Sequence, residues 1–466
     1  MTPEENRANT LVQQAIGSIT RQRWFGDKAR AVTSAAVDIA ETVEVGDKQV
    51  LLAVVRFSFE WGADALYFVP LPIDGAPEAD VLTSDAFLRW FVEGFAEERI
   101  IGKGASWRWR EIGDGLPGGG IVDFSRARAI SGEQSNTSIV FDGAYIGKMF
   151  RRVQPGLNPD LEIGEFLSSG NRYAHAPKLY GVVEVDHDEG PIAIAAMQEF
   201  VANRGDGWTW LLGQMRAAGA ASLDALVEPV RLLARRTGEL HLALASDPDD
   251  PSFAPEPFDS IDAQALIDRV RTEINESVEG LVQHIPAEEV EAIHKRMGDL
   301  MGHAWSMVGT RKIRVHGDYH LGQTLRTMDD DFVLIDFEGE PSRTMEQRRM
   351  KMPALKDVAG MVRSLDYAAA TVLQDEGDPD RRRQVADWLE AAVQGYIDEY
   401  RQTVAIAPVE IAPADDRLFN DVMDLMIAEK ALYEVRYELN NRPAWLPIPL
   451  NALRRLAGLD TGAEID

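Results

Sequence analysis

Apolar residues recur at helical spacing through long stretches from about residue 202 onward, whereas shorter alternating runs prevail before it. The pattern predicts a mainly helical C-terminal region behind a strand-rich one. The chain opens on an amphipathic helix marked by Leu11, Ile16 and Ile19, and alternation at Gln49–Phe59 and Ala65–Leu71 predicts strands. Ser138–Phe141 and Tyr145–Phe150 flank Asp142-Gly143, a strong hairpin signal. A helix is expected from Asn158, as N-cap, with Pro159 in its first turn. The apolar run Ile192–Met197, ending in Gln198-Glu199-Phe200-Val201, predicts a further strand. Gly113–Gly120, GDGLPGGG, reads as a linker; it lacks the GxxxxGK[ST] arrangement of a phosphate-binding loop. Three regions follow, at residues 1–115, 121–201 and 202–466, and the fold class is α+β. The chain shows no internal repeat.

One hairpin carries chemistry. In VHGDYHLGQTLRTMDDDFVLIDFE, Thr324–Thr327 and Phe332–Ile335 read as strands joined across the polar Met328–Asp331. Pairing them brings Asp318, just before the first strand, and Asp336, just after the second, to one open end, with Gln323 at the mouth. Hard divalent cations take oxygen ligands, so a carboxylate and an amide carbonyl there can hold Mg²⁺ against phosphates. A loop carboxylate can orient and deprotonate an attacking hydroxyl. Alternatively, Asp318 is a turn or capping acid and Asp336 a strand-end acid. Gly317 and Gly322 let the backbone wrap close to a ligand.

Two further places stand out. By strand parity Lys148 shares a face with Ile146 and Phe150, so it either meets a partner or ligand or snorkels at an edge. Near the C-terminus, Leu418, Val422, Leu425, Leu432 and Leu439 form a helical stripe that includes Glu429. A carboxylate on a buried face needs a partner. With Tyr433, Tyr437, Arg436 and Trp445 nearby, the segment suits either a sugar held by rings and charges or a structural ion pair in an aromatic core.

With 48 basic and 76 acidic residues the net charge is −28, which disfavours nucleic acid and anionic lipid as partners. No apolar run approaches a bilayer span, and the first twenty residues lack the apolar core of a signal peptide. There is no cysteine, consistent with a cytoplasmic location. An anionic nucleotide would have to be met by a local positive site.

The HGDxHxxQ segment followed by LIDFEGEP resembles the catalytic and metal-binding loops of the aminoglycoside phosphotransferase-like kinases, in particular the maltokinases, where the amide is Gln, as at Gln323. RWFGDKAR, EQSNTSIVF, NPDLEIGEFL, GDGW, ALKDVAG and ALYEVRYELNNRPAWLPIPL are similar to the same family, so the resemblance covers nearly the whole chain. TMEQRRMKMPALKDVAG departs from it. The resemblance implies a bilobal protein-kinase-like fold with an additional N-terminal cap domain. Within it, Asp318 would be the catalytic base and Gln323 and Asp336 the Mg²⁺ ligands. Lys148 would contact ATP, held by Glu162 or Glu165, with Glu162 preferred. Ser135, Asn136 and Thr137 would cover the phosphates, and Gln198 and Val201 would lie at the adenine hinge. His320, Glu429, Tyr433 and Tyr437 would bind the sugar. The implied reaction is phosphorylation of maltose to maltose 1-phosphate, feeding α-glucan synthesis, with an association with trehalose synthase. The related glucosamine kinases provide the alternative acceptor, and a non-catalytic regulator is a third reading, against which the retained loop residues argue.

Overall fold

The computed structural model describes residues 3–74, 81–102, 104–116, 127–130, 136–219, 223–341, 343–374 and 376–459. The chain divides into two compact units, Met1–Ala202 with Arg343–Arg348, and Asn203–Ser342 with Arg349–Asp466.

In the first unit, Val32–Val45, Lys48–Phe59, Ala65–Phe68 and Arg152–Val153 form an antiparallel sheet in that order. Strand Lys48–Phe59 is apolar on both faces. Leu51, Ala53, Val55 and Phe57 enter one core with helix Pro3–Ile19, while Val50, Leu52 and Val54 enter another with helix Asp85–Ala96. The opening helix buries Ala8, Val12, Ala15 and Ile19, whereas the expected Leu11 and Ile16 are only partly buried. Alanines on that stripe suit its seat against Ala35 and Ala53, where larger side chains would force the helix off the sheet.

A second antiparallel sheet of this unit runs, among the described residues, Ile100–Ile101, Trp107–Glu111, Leu179–Val185, Ile192–Glu199, Tyr145–Phe150, Asn136–Phe141 and Arg128–Ala129. The hairpin at Asp142-Gly143 forms as expected. Both residues take positive φ, 52° and 68°, the conformation that favours Asp and Gly in such turns. Asn158 caps helix Pro159–Ser168 by accepting from the Asp160 amide, with Pro in the first turn. Ser135 and residues 117–120 of the expected linker lie outside the described residues.

The second unit is mainly helical. Its longest elements are Ser260–Leu281, Leu355–Leu373, Pro379–Val404 and Asp416–Asn441. Among them lies a small antiparallel sheet of Asn203–Asp206, Thr324–Thr327 and Phe332–Leu334. Among the described residues no helix is long and apolar enough to cross a membrane.

Candidate active site

The expected hairpin forms, with Thr324 opposite Leu334 and Arg326 opposite Phe332. Its mouth is closed by a bond from the Ile335 amide to the Gln323 carbonyl, 3.0 Å, which sets Gln323 beside the start of Asp336. Asp336 has φ 69°, a left-handed conformation that turns the chain sharply out of the strand. A carboxylate oxygen of Asp336 and one of Glu338 lie within 4.8 Å of each other. Carboxylate oxygens are the donors that suit Mg²⁺, and Gln323, whose backbone the hairpin sets beside them, could add its amide oxygen. Glu338 was not singled out in the sequence.

The loop before the hairpin is held from below by Asp357 on helix Leu355–Leu373. Its carboxylate accepts from the His316 amide at 2.7 Å and the Gly317 amide at 2.9 Å, and it lies 3.1 Å from His241 Nε2. Asp357 is fully buried; burial pushes its carboxyl up, but His241, His316 and the Gly317 amide outweigh that and hold it below the usual carboxylate range. His316 Nε2 donates to the Ile335 carbonyl, 2.9 Å, which ties the loop to the second strand. Two glycines permit the fit. Gly317 sits at φ 88°, and a Cβ on Gly360 would stand 2.5 Å from the Tyr319 carbonyl, so only glycine lets this helix pass so close to the loop.

Above this frame Asp318 opens into a cavity of about 890 Å³, a size typical of small-ligand sites. His320 also faces it. Its Nδ1 accepts from the Gly322 amide at 3.0 Å, so the neutral ring carries its proton on Nε2, and burial pulls its pKa down. The opposite wall is helix Asp416–Asn441, which presents Lys430, Tyr433, Glu434, Tyr437 and Glu438. These positions follow the i, i+3, i+4, i+7, i+8 rule of one helical face. Lys430 Nζ lies 3.4 Å from Asp318 Oδ1. Tyr433 and Tyr437 stack with centroids 6.3 Å apart, and Tyr367 stacks on Trp445 at 6.0 Å. Glu434 accepts from Arg363 at 2.7 and 2.9 Å, while Glu438 accepts from Tyr367 at 3.0 Å and from Arg442 at 2.7 and 2.9 Å. The wall is thus aromatic surface interleaved with fixed charges.

Glu429 does not take the place expected of it. Its carboxylate pairs with Arg269 on helix Ser260–Leu281, on the core side of its own helix, while the cavity side begins with the next residue, Lys430. This is the ion pair of the alternative reading, and Glu429 is not among the residues that line the cavity. Glu429→Gln is expected to lower stability by about 1–3 kcal/mol, the scale of a hydrogen bond to a charged partner. It should leave ligand affinity at the cavity unchanged. Thermal unfolding beside a binding titration checks this.

In the other unit, Lys148 is buried and its Nζ lies 3.3 Å from Asp160 Oδ2. Asp160, two positions before the preferred Glu162, thus stands on this lysine, and Glu165 pairs with Arg110 at 2.8 Å. Asn158 bonds the Asp160 amide in the first helical turn, and the Asp160 side chain is buried against the lysine of the sheet. Thr137 Oγ1 accepts from Arg151 at 2.8 Å, and Asn136 and Thr137 begin a strand rather than stand in a free turn. Gln198 lies near the end of strand Ile192–Glu199, with Val201 just beyond it.

Residues 19–102 match the maltokinase N-terminal cap domain. The chain is 29% identical over 336 residues to a glucosamine kinase of Streptacidiphilus jiangxiensis, covering 71% of this chain and 73% of that protein. It is 28% identical over 343 residues to a glucosamine kinase of Mycolicibacterium smegmatis (strain ATCC 700084 / mc(2)155), covering 72% and 80%. A solved glucosamine kinase (crystal form B) superposes with a TM-score of 0.74 at 23% identity, over 97% of this chain and 99% of that one. Another, in complex with glucosamine, ADP and inorganic phosphate, gives 0.70 at 24% identity over 94% and 98%. The chain thus has a kinase-like fold, a segment that matches the maltokinase N-terminal cap domain, and similarity to two glucosamine kinases over about seven-tenths of its length.

Proposed function

We propose that the protein transfers the γ-phosphoryl group of ATP to a hydroxyl of a small sugar. The observation that carries this is Asp318, seated on a fixed loop at the cavity of aromatic rings and paired charges. Asp318 accepts the proton of the acceptor hydroxyl and orients its oxygen for attack. The rings offer faces for the sugar, and Glu434, Glu438 and His320 offer partners for its polar groups. Asp336 and Gln323, with Glu338 nearby, would hold Mg²⁺, which when bound neutralises charge on the phosphates. Lys148, steadied by Asp160, is the phosphate contact, with Asn136 and Thr137 at the phosphates and Gln198 and Val201 at the hinge. In this reading residues 1–115 are the cap, 121–201 the small lobe and 202–466 the large lobe, except that Trp107–Glu111, on the cap side of that boundary, pairs into the small-lobe sheet.

For the acceptor we favour glucosamine. Asp206, Asp318, Glu434 and Glu438 all line the cavity and suit an ammonium group, and similarity to two glucosamine kinases over about seven-tenths of the chain supports the choice. Maltose, expected from the sequence, remains a second reading, supported by the cap domain and by two separate aromatic stacks. Release of ADP with glucosamine, N-acetylglucosamine, glucose and maltose tests both. A charge-assisted bond of about 1.5–3 kcal/mol predicts roughly 10–100-fold higher kcat/KM for glucosamine than for glucose. Maltose as the better substrate would transfer the assignment to it, and no ADP with any sugar would end the kinase reading.

A further inference from the structure

We propose that Lys430 is a positioning residue for Asp318, fixing its carboxylate in the orientation that receives the acceptor's proton. The inference rests on the kinase reading above and adds to it a residue outside the loops that carry the family resemblance. Asp357 fixes the backbone at His316 and Gly317, and the Ser364 hydroxyl accepts from the Leu321 amide at 3.1 Å. These bonds set the loop but leave the Asp318 side chain to be oriented from elsewhere. Lys430, 112 positions further along the chain, supplies that contact at 3.4 Å.

The lysine is itself held. Its Nζ stands 5.2 Å from the Tyr433 ring centroid, and Glu434, one turn on, is fixed by Arg363. Its side chain keeps 29% of its surface exposed and Asp318 keeps 22%, so the pair stands at the cavity wall, where ligand can reach it. Among the charged and titratable groups that face Asp318 are His316 and His320 from its own loop and Lys430 and Tyr433 from the facing helix. Burial pushes the Asp318 carboxyl up, but Lys430 and, behind it, His320 and His316 together outweigh this and hold it below the usual carboxylate range. Burial pulls the Lys430 ammonium down, and Asp318, Glu434 and Glu340 together hold it above its ordinary value.

In the transfer step the acceptor oxygen bonds to the γ-phosphorus as the bond from that phosphorus to the ADP oxygen breaks, its electron pair leaving with ADP. The acceptor proton passes to Asp318 and then to solvent. Asp318 must therefore be ionised when the sugar arrives. A neighbouring ammonium secures that and limits the rotation of the carboxylate. The cost is a weaker base, which phosphoryl transfer through a loose transition state tolerates.

Lys430→Met keeps most of the length and removes the charge. Without the ammonium the Asp318 carboxyl binds its proton more tightly, so a higher pH is needed to ionise it. The acidic limb of kcat/KM should move to higher pH by roughly one unit or more, and kcat should fall by about 10–100-fold. Lys430→Arg should return the limb to the parent position. A purely structural lysine would lower activity at all pH values without moving the limb. The carboxyl ¹³C titration of Asp318, assigned by its loss in Asp318→Asn, reads the same shift without turnover. A limb and a carboxyl titration unmoved in Lys430→Met overturn the proposal. Should that variant fail to fold, Lys430→Gln answers the same question. If the parent releases no ADP with any sugar, the kinase reading fails, and the carboxyl titration still decides the Lys430–Asp318 coupling.

Discussion

Asp318→Asn is expected to lower turnover by about 10²–10⁴-fold, the range of general-base assistance, with the fold retained. Asparagine copies the shape of the side chain but cannot take the acceptor's proton at working pH. The loop would stay in place, since its backbone bonds run to Asp357 and Ser364. The substitution also leaves Lys430 without its anionic partner, a contact at 3.4 Å between partly exposed groups and therefore worth little to stability. Circular dichroism and thermal unfolding should match the parent closely while ADP release collapses. A variant keeping more than a tenth of the parental rate would remove Asp318 from the role of base.

The hairpin mouth was legible because the chemistry lies close in sequence. A polar link, two short strands and flanking acids leave few ways to pair, and the register follows from the turn. The Asn158 cap and the Asp142-Gly143 turn were legible for the same reason, each resting on local backbone bonding. The face of helix Asp416–Asn441 was less clear. Its buried residues include Val422, Met423, Leu425, Met426, Ala428, Leu432 and Val435, so apolar groups occupy most of its circumference and an apolar stripe cannot say which side meets a ligand. The usable signal was the polar stripe, Lys430, Tyr433, Glu434, Tyr437 and Glu438, which shares one face at helical spacing. Glu429 lies about 100° from Lys430 around the axis, enough to send it to Arg269 instead.

Long-range partners were beyond reach. Asp357 meets the His316 loop some forty residues away, and nothing in ALKDVAG says which of its groups points there. The same holds for Lys148: Asp160, Glu162 and Glu165 are all acids of one short helix, and the choice among them depends on how that helix sits on the sheet. There Asp160 is buried against Lys148 while Glu165 reaches Arg110. Pairing of Trp107–Glu111 with Leu179–Val185 likewise joins strands some seventy residues apart. Such pairings depend on tertiary placement, which local pattern does not encode.

Removing the Asp336 carboxylate is expected to abolish the Mg²⁺ dependence of nucleotide binding. Affinity for ADP with Mg²⁺ should fall at least about 10–100-fold, the loss produced by removing even a supporting residue of a metal site, to the level of the parent without Mg²⁺. Two substitutions are needed because Asp336 sits at φ 69°. Alanine there adds backbone strain of roughly 1–2 kcal/mol, whereas asparagine tolerates the left-handed region and keeps one neutral oxygen. A shared loss of Mg²⁺ dependence in Asp336→Ala and Asp336→Asn identifies the charge as the cause, while a thermal-unfolding penalty confined to alanine identifies the strain. Gln323→Asn should retain part of the dependence, because its amide oxygen stays on the same side of the mouth but one methylene shorter. Calorimetric titration of ADP with and without Mg²⁺ reads all three variants. If Asp336→Asn binds Mg²⁺-ADP as tightly as the parent, the metal is held elsewhere and the hairpin mouth is only a structural turn.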